Sequence, residues 1–174
     1  MAKKSNKGKL MGIIGNAVTM IFAVCALAFM AMPMMALITT IGDKSTREAG
    51  SSVFASMGDI SEADGTGKGA LVMFILVAIV ASLLIVAAIV GLVGVFMGNK
   101  KLNMSLVNKI LALLLVVIAL VGMILTIVYC ADNSLDASGY GSIKLVADAG
   151  AVLPLVFGLF AVIGAFLTPS KKRS

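Results

Sequence analysis

The residues with the clearest chemistry are the sulfurs. The stretch "MAMPMM" brings Met30, Met32, Met34 and Met35 close together. Thioethers are soft ligands that suit Cu(I). On a helix, Met30 and Met34 would share a face at i, i+4. Pro33 would kink that helix and free carbonyls beside them. Cys130, grouped with them on one side of the chain by the charge pattern below, offers a thiol. Met30, Met34, Met35 and Cys130 are therefore the candidate metal set. The other use of such methionines is adaptable packing around an irregular backbone, and the sequence favours that use. No resident metal or cofactor is expected.

A second chemical signal is "GTGKGA" (Gly65 to Ala70), a glycine-rich run with a lysine. A phosphate loop needs G-x-x-x-x-G-K-[ST] between a strand and a helix. Here Glu62 stands where the first glycine belongs, and Gly69 stands where Ser or Thr should follow Lys68. Both ends fail, so no nucleotide is expected. Asp59, Glu62 and Asp64 lack the alternating spacing and terminal Glu of a calcium loop. The chain has no His, the commonest general base and metal ligand. Nucleophile, base and ligands are not assembled anywhere, and the expectation is a protein that is not an enzyme and has no catalytic residues. Cys25 and Cys130, the two cysteines, lie in or at the end of apolar runs, and read as small hydrophobes rather than a disulfide.

The elements that carry these residues are apolar. Of 174 residues, 60% are hydrophobic and 13% charged, against about 25% charged in soluble domains. The mean hydropathy is +1.12. One small core cannot hide that much apolar surface, so lipid is the expected solvent. Four stretches are long enough to span it: Leu10 to Ile41, Ala70 to Met97, Leu102 to Ala131 and Leu145 to Thr168. Backbone polar groups in lipid must pair internally, which makes each stretch a helix. The expected fold is an all-α integral membrane protein. Residues 1–174 form a single domain, a four-transmembrane-helix antiparallel bundle with outer loops at 42–69 and 132–144.

Charge orients the bundle. Lys3, Lys4, Lys7, Lys9, Lys100, Lys101, Lys109, Lys171, Lys172 and Arg173 fall on one side, with no acid among them. All eight acids fall on the other: Asp43, Glu48, Asp59, Glu62, Asp64, Asp132, Asp136 and Asp148, accompanied by Lys44, Arg47, Lys68 and Lys144. The balance is +10 against −4. The positive-inside rule then places both termini in the cytoplasm and both longer loops outside a plasma membrane. The net charge of +6 so reflects the anionic inner leaflet and implies no nucleic acid partner. A basic start before an apolar run also fits a signal peptide. This run is much longer than the ~7–15 residues of a signal core, and Val24 before Cys25 is not the small residue a lipoprotein site needs. An uncleaved anchor is expected.

In the first outer loop, Ser45 and Glu48 have the spacing of a capping box. Ala49, Val53, Met57 and Ile60 recur at helical spacing, with Phe54 alongside. A short amphipathic helix is expected there, ending near Gly58, with Val53, Phe54, Met57 and Ile60 as a docking surface. The second outer loop reads as polar and flexible. "DGTGKGALV" (Asp64 to Val72) aligns with "SGYGSIKLV" (Ser138 to Val146), and "NKGKL" at Asn6 with "NKKLN" at Asn99, which raises an internal repeat of two hairpins.

Small residues mark close helix approaches in lipid. The stripes are Gly12, Gly15, Thr19, Ala23 and Ala26 in the first span, and Ala87, Gly91, Gly94 and Gly98 in the second. The fourth has Gly150, Pro154, Gly158, Ala161 and Ala165. Gly91, Gly94, Gly98, Gly150, Gly158, Ala161 and Ala165 are the candidate packing and interface residues. Polar groups at mid-depth are few: Asn16, Thr19, Ser82 and Thr126. Lys109 is placed to snorkel to the inner face, and Asp148 to meet the positive end of the fourth helix. No acid or base sits near the centre of a span, which argues against ion-coupled transport.

Four spans with a longer first outer loop resemble claudin-type proteins in topology alone. The tryptophans and paired cysteines of the claudin loop are absent here. The expected role is a non-enzymatic accessory or scaffold subunit. Its partners would be the bilayer and other membrane subunits or copies of itself. The alternative is a small channel or transporter, including Cu(I) passage at the methionine cluster.

Overall fold

The computed structural model describes residues 2–56, 65–99, 102–137 and 141–169. In chain order the elements are α1 (Ala2–Phe29), β1 (Met35–Ile41), β2 (Lys44–Ala49), α2 (Val53–Ser56) and α3 (Gly65–Phe96). They are followed by α4 (Ser105–Asp132), β3 (Leu135–Ala137), β4 (Gly141–Ala147) and α5 (Ala149–Leu167). Among the described residues, α1, α3, α4 and α5 are long and apolar enough to cross a membrane. The last of them, with 19 residues, is the shortest. At 1.5 Å per residue it still reaches about 28 Å, close to a hydrocarbon layer.

Local chemistry sets where these helices start and stop. Asn103 Oδ1 accepts from the Ser105 amide (3.0 Å) and opens α4. Asp148 opens α5: its carboxylate accepts from the Ala149 amide (2.8 Å), and its carbonyl accepts from the Ala151 amide (2.9 Å). The end of α3 is a Schellman turn. The Asn99 amide donates to Gly94 O (2.9 Å) and the Gly98 amide to Val95 O (3.3 Å), with Gly98 at φ 67°.

The first span departs from expectation. Helix α1 stops at Phe29, and Met35–Ile41 is a strand rather than helix. Pro33 cannot donate to a helical ladder and bars helical geometry at the residue before it. The following "LITTI" is β-branched at four of five positions, which suits a pleated surface. Gly42 and Asp43 then form a two-residue hairpin turn. Gly42 has φ 59°, and among the described residues, Asp43 included, none other than glycine has positive φ, the signature of a type II′ turn.

The loop helix is also corrected. Ser45 and Glu48 lie on the exposed strand β2, not in a capping box. Among the described residues the loop's helix is the four-residue α2, capped by Ser52 Oγ at the Ala55 amide (3.2 Å). The second outer loop is structured as well. It contributes β3 and β4, so residues 145–147, expected to begin the fourth helix, are strand.

The chain divides into two compact units. One comprises Met1–Leu27, Ala78–Val117 and Val156–Ser174, the other Ala28–Val77 and Ile118–Leu155. Each long helix contributes residues to both. In the second unit the strands form one antiparallel sheet in the order β2-β1-β4-β3. Strand β1 is central, with Ile41 opposite Lys44 on β2 and Met35 opposite Ala147 on β4. The segment between α1 and α2 and the segment between α4 and α5 are therefore joined by main-chain hydrogen bonds. The pairing continues past β1: the Met34 amide donates to Ser51 O (3.0 Å), and the Asp148 and Gly150 amides donate to Met34 O and Pro33 O (2.9 and 2.8 Å).

Candidate functional site

The division into units coincides with the division of charge. The first unit's sequence holds the ten cations Lys3 to Arg173 and no Asp or Glu; the second holds all eight acids with Lys44, Arg47, Lys68 and Lys144. Each unit has one polar constellation of its own.

In the basic unit the constellation is a layer of buried polar side chains. Asn108 Nδ2 donates to Asn16 Oδ1 at 2.7 Å, joining α4 to α1. Asn16 Nδ2 donates to Gly12 O (2.8 Å). Asn16 lies against α3 at Gly91, where a Cβ would stand 2.7 Å from Asn16 Oδ1. Ser105 Oγ donates to Thr168 O (3.0 Å), linking α4 to the end of α5. Thr19 Oγ1 donates to Gly15 O (2.8 Å). Asn16, Thr19, Ser105, Asn108 and Thr168 are all buried. Asn108 Oδ1 has no hydrogen-bond partner among the described residues.

Helices α1 and α5 meet where the side chains are smallest. A Cβ on Gly15 would stand 2.8 Å from Gly164 O, and one on Gly164 would stand 2.6 Å from the Thr19 amide nitrogen. Two matched small-x-x-x-small steps, Gly15/Thr19 and Gly164/Thr168, thus bring the two backbones together. Phe22 on α1 stacks with Phe157 and Phe160 on α5, with centroids 6.1 and 5.0 Å apart. In the same unit, Lys109 Nζ lies 5.3 Å from the centroid of the Phe166 ring.

In the acidic unit the constellation ties the sheet to a helix. Arg47 on β2 pairs with Asp148 at 2.8 Å. The Arg47 hydrogen bond, with the Ala149 amide assisting, holds the Asp148 carboxyl below its ordinary pKa. Ser134 Oγ donates to Cys130 O (2.7 Å) and accepts from the Leu145 amide (3.1 Å), fixing the end of α4 to β4. Gly67 leaves space for the Tyr129 ring, 2.8 Å from where a Cβ would stand. The "GTGKGA" run is thus the first turn of α3.

The proposed interface residues fall in different places. Gly91 faces Asn16, Gly94 faces Leu102, Gly158 faces Val116 and Leu115, and Gly150 lies against the carbonyls of Met32 and Pro33. Ala161 and Ala165 are buried. Gly98 caps α3, and a Cβ there would meet nothing within 4 Å. In the loop, Val53 is fully buried and Phe54 exposed; Met57 and Ile60 lie outside the described residues. Met30, Met34 and Cys130 are buried, but α1 ends before Met30, so the shared helical face of Met30 and Met34 does not form. Met35 opens β1. The aligned segments of the repeat adopt different structure: Leu71 and Val72 are helical, Leu145 and Val146 are strand.

Asn108, Ser105 and Thr168 of the basic unit's polar layer, and Gly164 at the α1–α5 contact, are the residues that sequence reasoning missed. Gly164 and Thr168 repeat the spacing of Gly15 and Thr19, a signal that was present. No family model matches the chain, and no curated protein or solved structure is significantly similar to it.

Proposed function

We propose that the protein is a non-enzymatic, multi-pass membrane subunit with both termini in the cytoplasm. Its four long helices pack as an antiparallel bundle, and its outer sheet is the face offered to partner subunits or to further copies. The single observation that carries this reading is the coincidence of two partitions. The unit rich in cations has no acid, and the unit that holds the sheet has every acid. The ten-to-four excess of Lys and Arg within that split is what the positive-inside rule produces when a short chain crosses a bilayer repeatedly. The contacts α1–α4, α1–α5, α1–α3 and α4–α5 within the basic unit support the bundle. They also change its expected mode of assembly. The small-residue stripes are largely occupied by the chain's own helices, so docking moves to the outer sheet, where every residue of β2 is exposed. An edge strand carries unpaired main-chain groups, and Lys44, Arg47 and Glu48 restrict what pairs with it.

The test is extraction in mild detergent followed by mass determination of the purified particle. A particle larger than one chain, reduced by charge reversal at Lys44 and Glu48, is expected. A strictly monomeric particle without partners would overturn the subunit role, and a chain that stays soluble without detergent would overturn the membrane reading itself.

A further inference from the structure

We infer that the open edge of β2 pairs with the same edge of a second copy of this chain, antiparallel about a twofold axis at Thr46. The inference names the occupant of the outer sheet and rests on the subunit reading above. Strand β2 pairs with β1 alone among the described residues, and all six of its residues are exposed. Its main chain alternates. The two-residue turn makes Ile41 and Lys44 a hydrogen-bonded pair, and past the far end of the strand the Gly50 amide donates to Met35 O (2.9 Å). Lys44, Thr46 and Glu48 therefore turn their main-chain groups inward to β1, while Ser45 and Arg47 turn theirs to the open edge. Such an edge takes a strand whose own outward groups fall opposite these.

Charge selects both the occupant and the register. A twofold axis at Thr46 sets Ser45 opposite Arg47 of the second copy, so the outward main-chain groups meet in hydrogen-bonded pairs. It also sets Lys44 opposite Glu48 of the second copy, twice over and on one face of the extended sheet. Among the described residues neither Lys44 nor Glu48 has an ion-pair partner, whereas Arg47 is held by Asp148 (2.8 Å). Outward groups must face outward groups, which confines the axis to single residues. An axis at Lys44, Arg47 or Glu48 places identical charges directly opposite each other, which is destabilising. An axis at Ser45 pairs only Lys44 to Thr46 within the strands, and sets Asp43 of the second copy against Arg47 in competition with Asp148. An axis at Ala49 pairs that residue alone. The Thr46 register pairs Lys44 through Glu48 and leaves Arg47 with Asp148. Charged edge residues ordinarily discourage strand addition. Here their order, Lys-Ser-Thr-Arg-Glu, is complementary to itself in that one register.

The experiment uses the full chain in mild detergent, with cysteine cross-linking under a mild oxidant. Residues opposite each other in a non-hydrogen-bonded antiparallel pair have Cα atoms about 4.5 Å apart, within reach of a disulfide. Thr46→Cys should therefore give a disulfide-linked dimer, above the background of the wild-type chain with Cys25 and Cys130. Ser45→Cys should not, since the two copies of that residue stand two steps out of register, beyond the ~7 Å limit. In the Thr46→Cys chain, Lys44→Glu or Glu48→Lys, introduced one at a time, should weaken the pairing about tenfold, because two attractive cross-strand pairs become repulsive. Mixing these two variants should restore the cross-link, since each chain then meets opposite charge on the other. Both positions are exposed, and recovery in the mixture shows that both variants fold. Cross-linking at Ser45→Cys as strong as at Thr46→Cys, or no recovery in the mixture, would overturn the self-pairing. A particle larger than one chain that gives no Thr46→Cys dimer would overturn it and leave the subunit reading standing. A monomeric particle without partners would overturn both.

Discussion

At the scale of residues, burial of polar groups in an apolar chain is resolved mostly within each helix. Buried Thr19 and Thr126, and Ser82 on the exposed face of α3, each donate to the carbonyl four residues back, at 2.8, 2.9 and 2.8 Å, which removes the cost of an unpaired hydroxyl. The Asn16–Asn108 pair is different because it crosses between helices. It is also asymmetric, since Asn108 Oδ1 is already without a partner. Asn16→Ala strips Asn108 of its acceptor and leaves a whole carboxamide buried and unpaired. Asn108→Ala removes the orphaned oxygen but leaves Asn16 Oδ1 without its donor, so one unpaired oxygen replaces another. Asn16→Ala should therefore cost more, about 1–3 kcal/mol for the unsatisfied group, and Asn108→Ala nearer the ~0.6 kcal/mol typical of interhelical bonds in lipid. Thermal unfolding of both variants in one detergent checks the order, and equal losses would contradict it. Asn16 was legible as a polar residue inside an apolar run. Asn108 was not, because it sits beside Lys109 at the basic end of its span. Its burial is decided by α1, far away in sequence.

At the scale of elements, the sequence made the four long helices visible and hid the sheet. Length and apolarity mark α3 and α4 without ambiguity, but the same measure carried the first span on through Met35–Ile41. The contrary signals were local: Pro33, the β-branched "ITTI" and the Gly-Asp pair before Lys44. Strand β4 was harder to see, since its partner β1 lies more than a hundred residues earlier. The pair that joins these elements is testable through pH. Asp148 titrates below its unfolded value, so its contribution is fully present above about pH 4, the ordinary aspartate range, and is lost as pH falls through the lower folded value. Stability should consequently be flat from about pH 8 to 5 with respect to this group and decline below about pH 4. Arg47 is 57% exposed, so the ion pair itself is worth less than about 1 kcal/mol. Asp148→Asn retains an N-cap and should lose only that part, whereas Asp148→Ala should lose about 1 kcal/mol more. In both variants the acid-side decline should shrink. An undiminished decline in Asp148→Asn would assign it to other carboxylates.

At the scale of the whole molecule, the proposed orientation is a matter of counting Lys and Arg, because acids contribute little to topology. The chain has ten such residues on the side assigned to the cytoplasm and four on the other. Neutralising Lys3, Lys4, Lys7 and Lys9 to Gln leaves six against four, and the second hairpin still carries Lys100, Lys101, Lys109 and the basic C-terminal residues. The orientation should hold. Neutralising Lys100 and Lys101 as well leaves four against four, and the bias disappears. That six-fold variant should insert in both orientations. The Gly42–Asp43 turn provides the reporter, since it joins two strands in the unit that holds every acid and Asp43 is exposed. A cysteine placed by Asp43→Cys should react with an impermeant maleimide in intact cells for the parent and the four-lysine variant, against the background of the chain without that cysteine. In the six-lysine variant labelling should fall to about half, the share expected when neither orientation is preferred. Full labelling in the six-lysine variant would show that something other than the cation count sets the orientation. No labelling in the parent would invert the topology, and with it the side on which the sheet meets its partners.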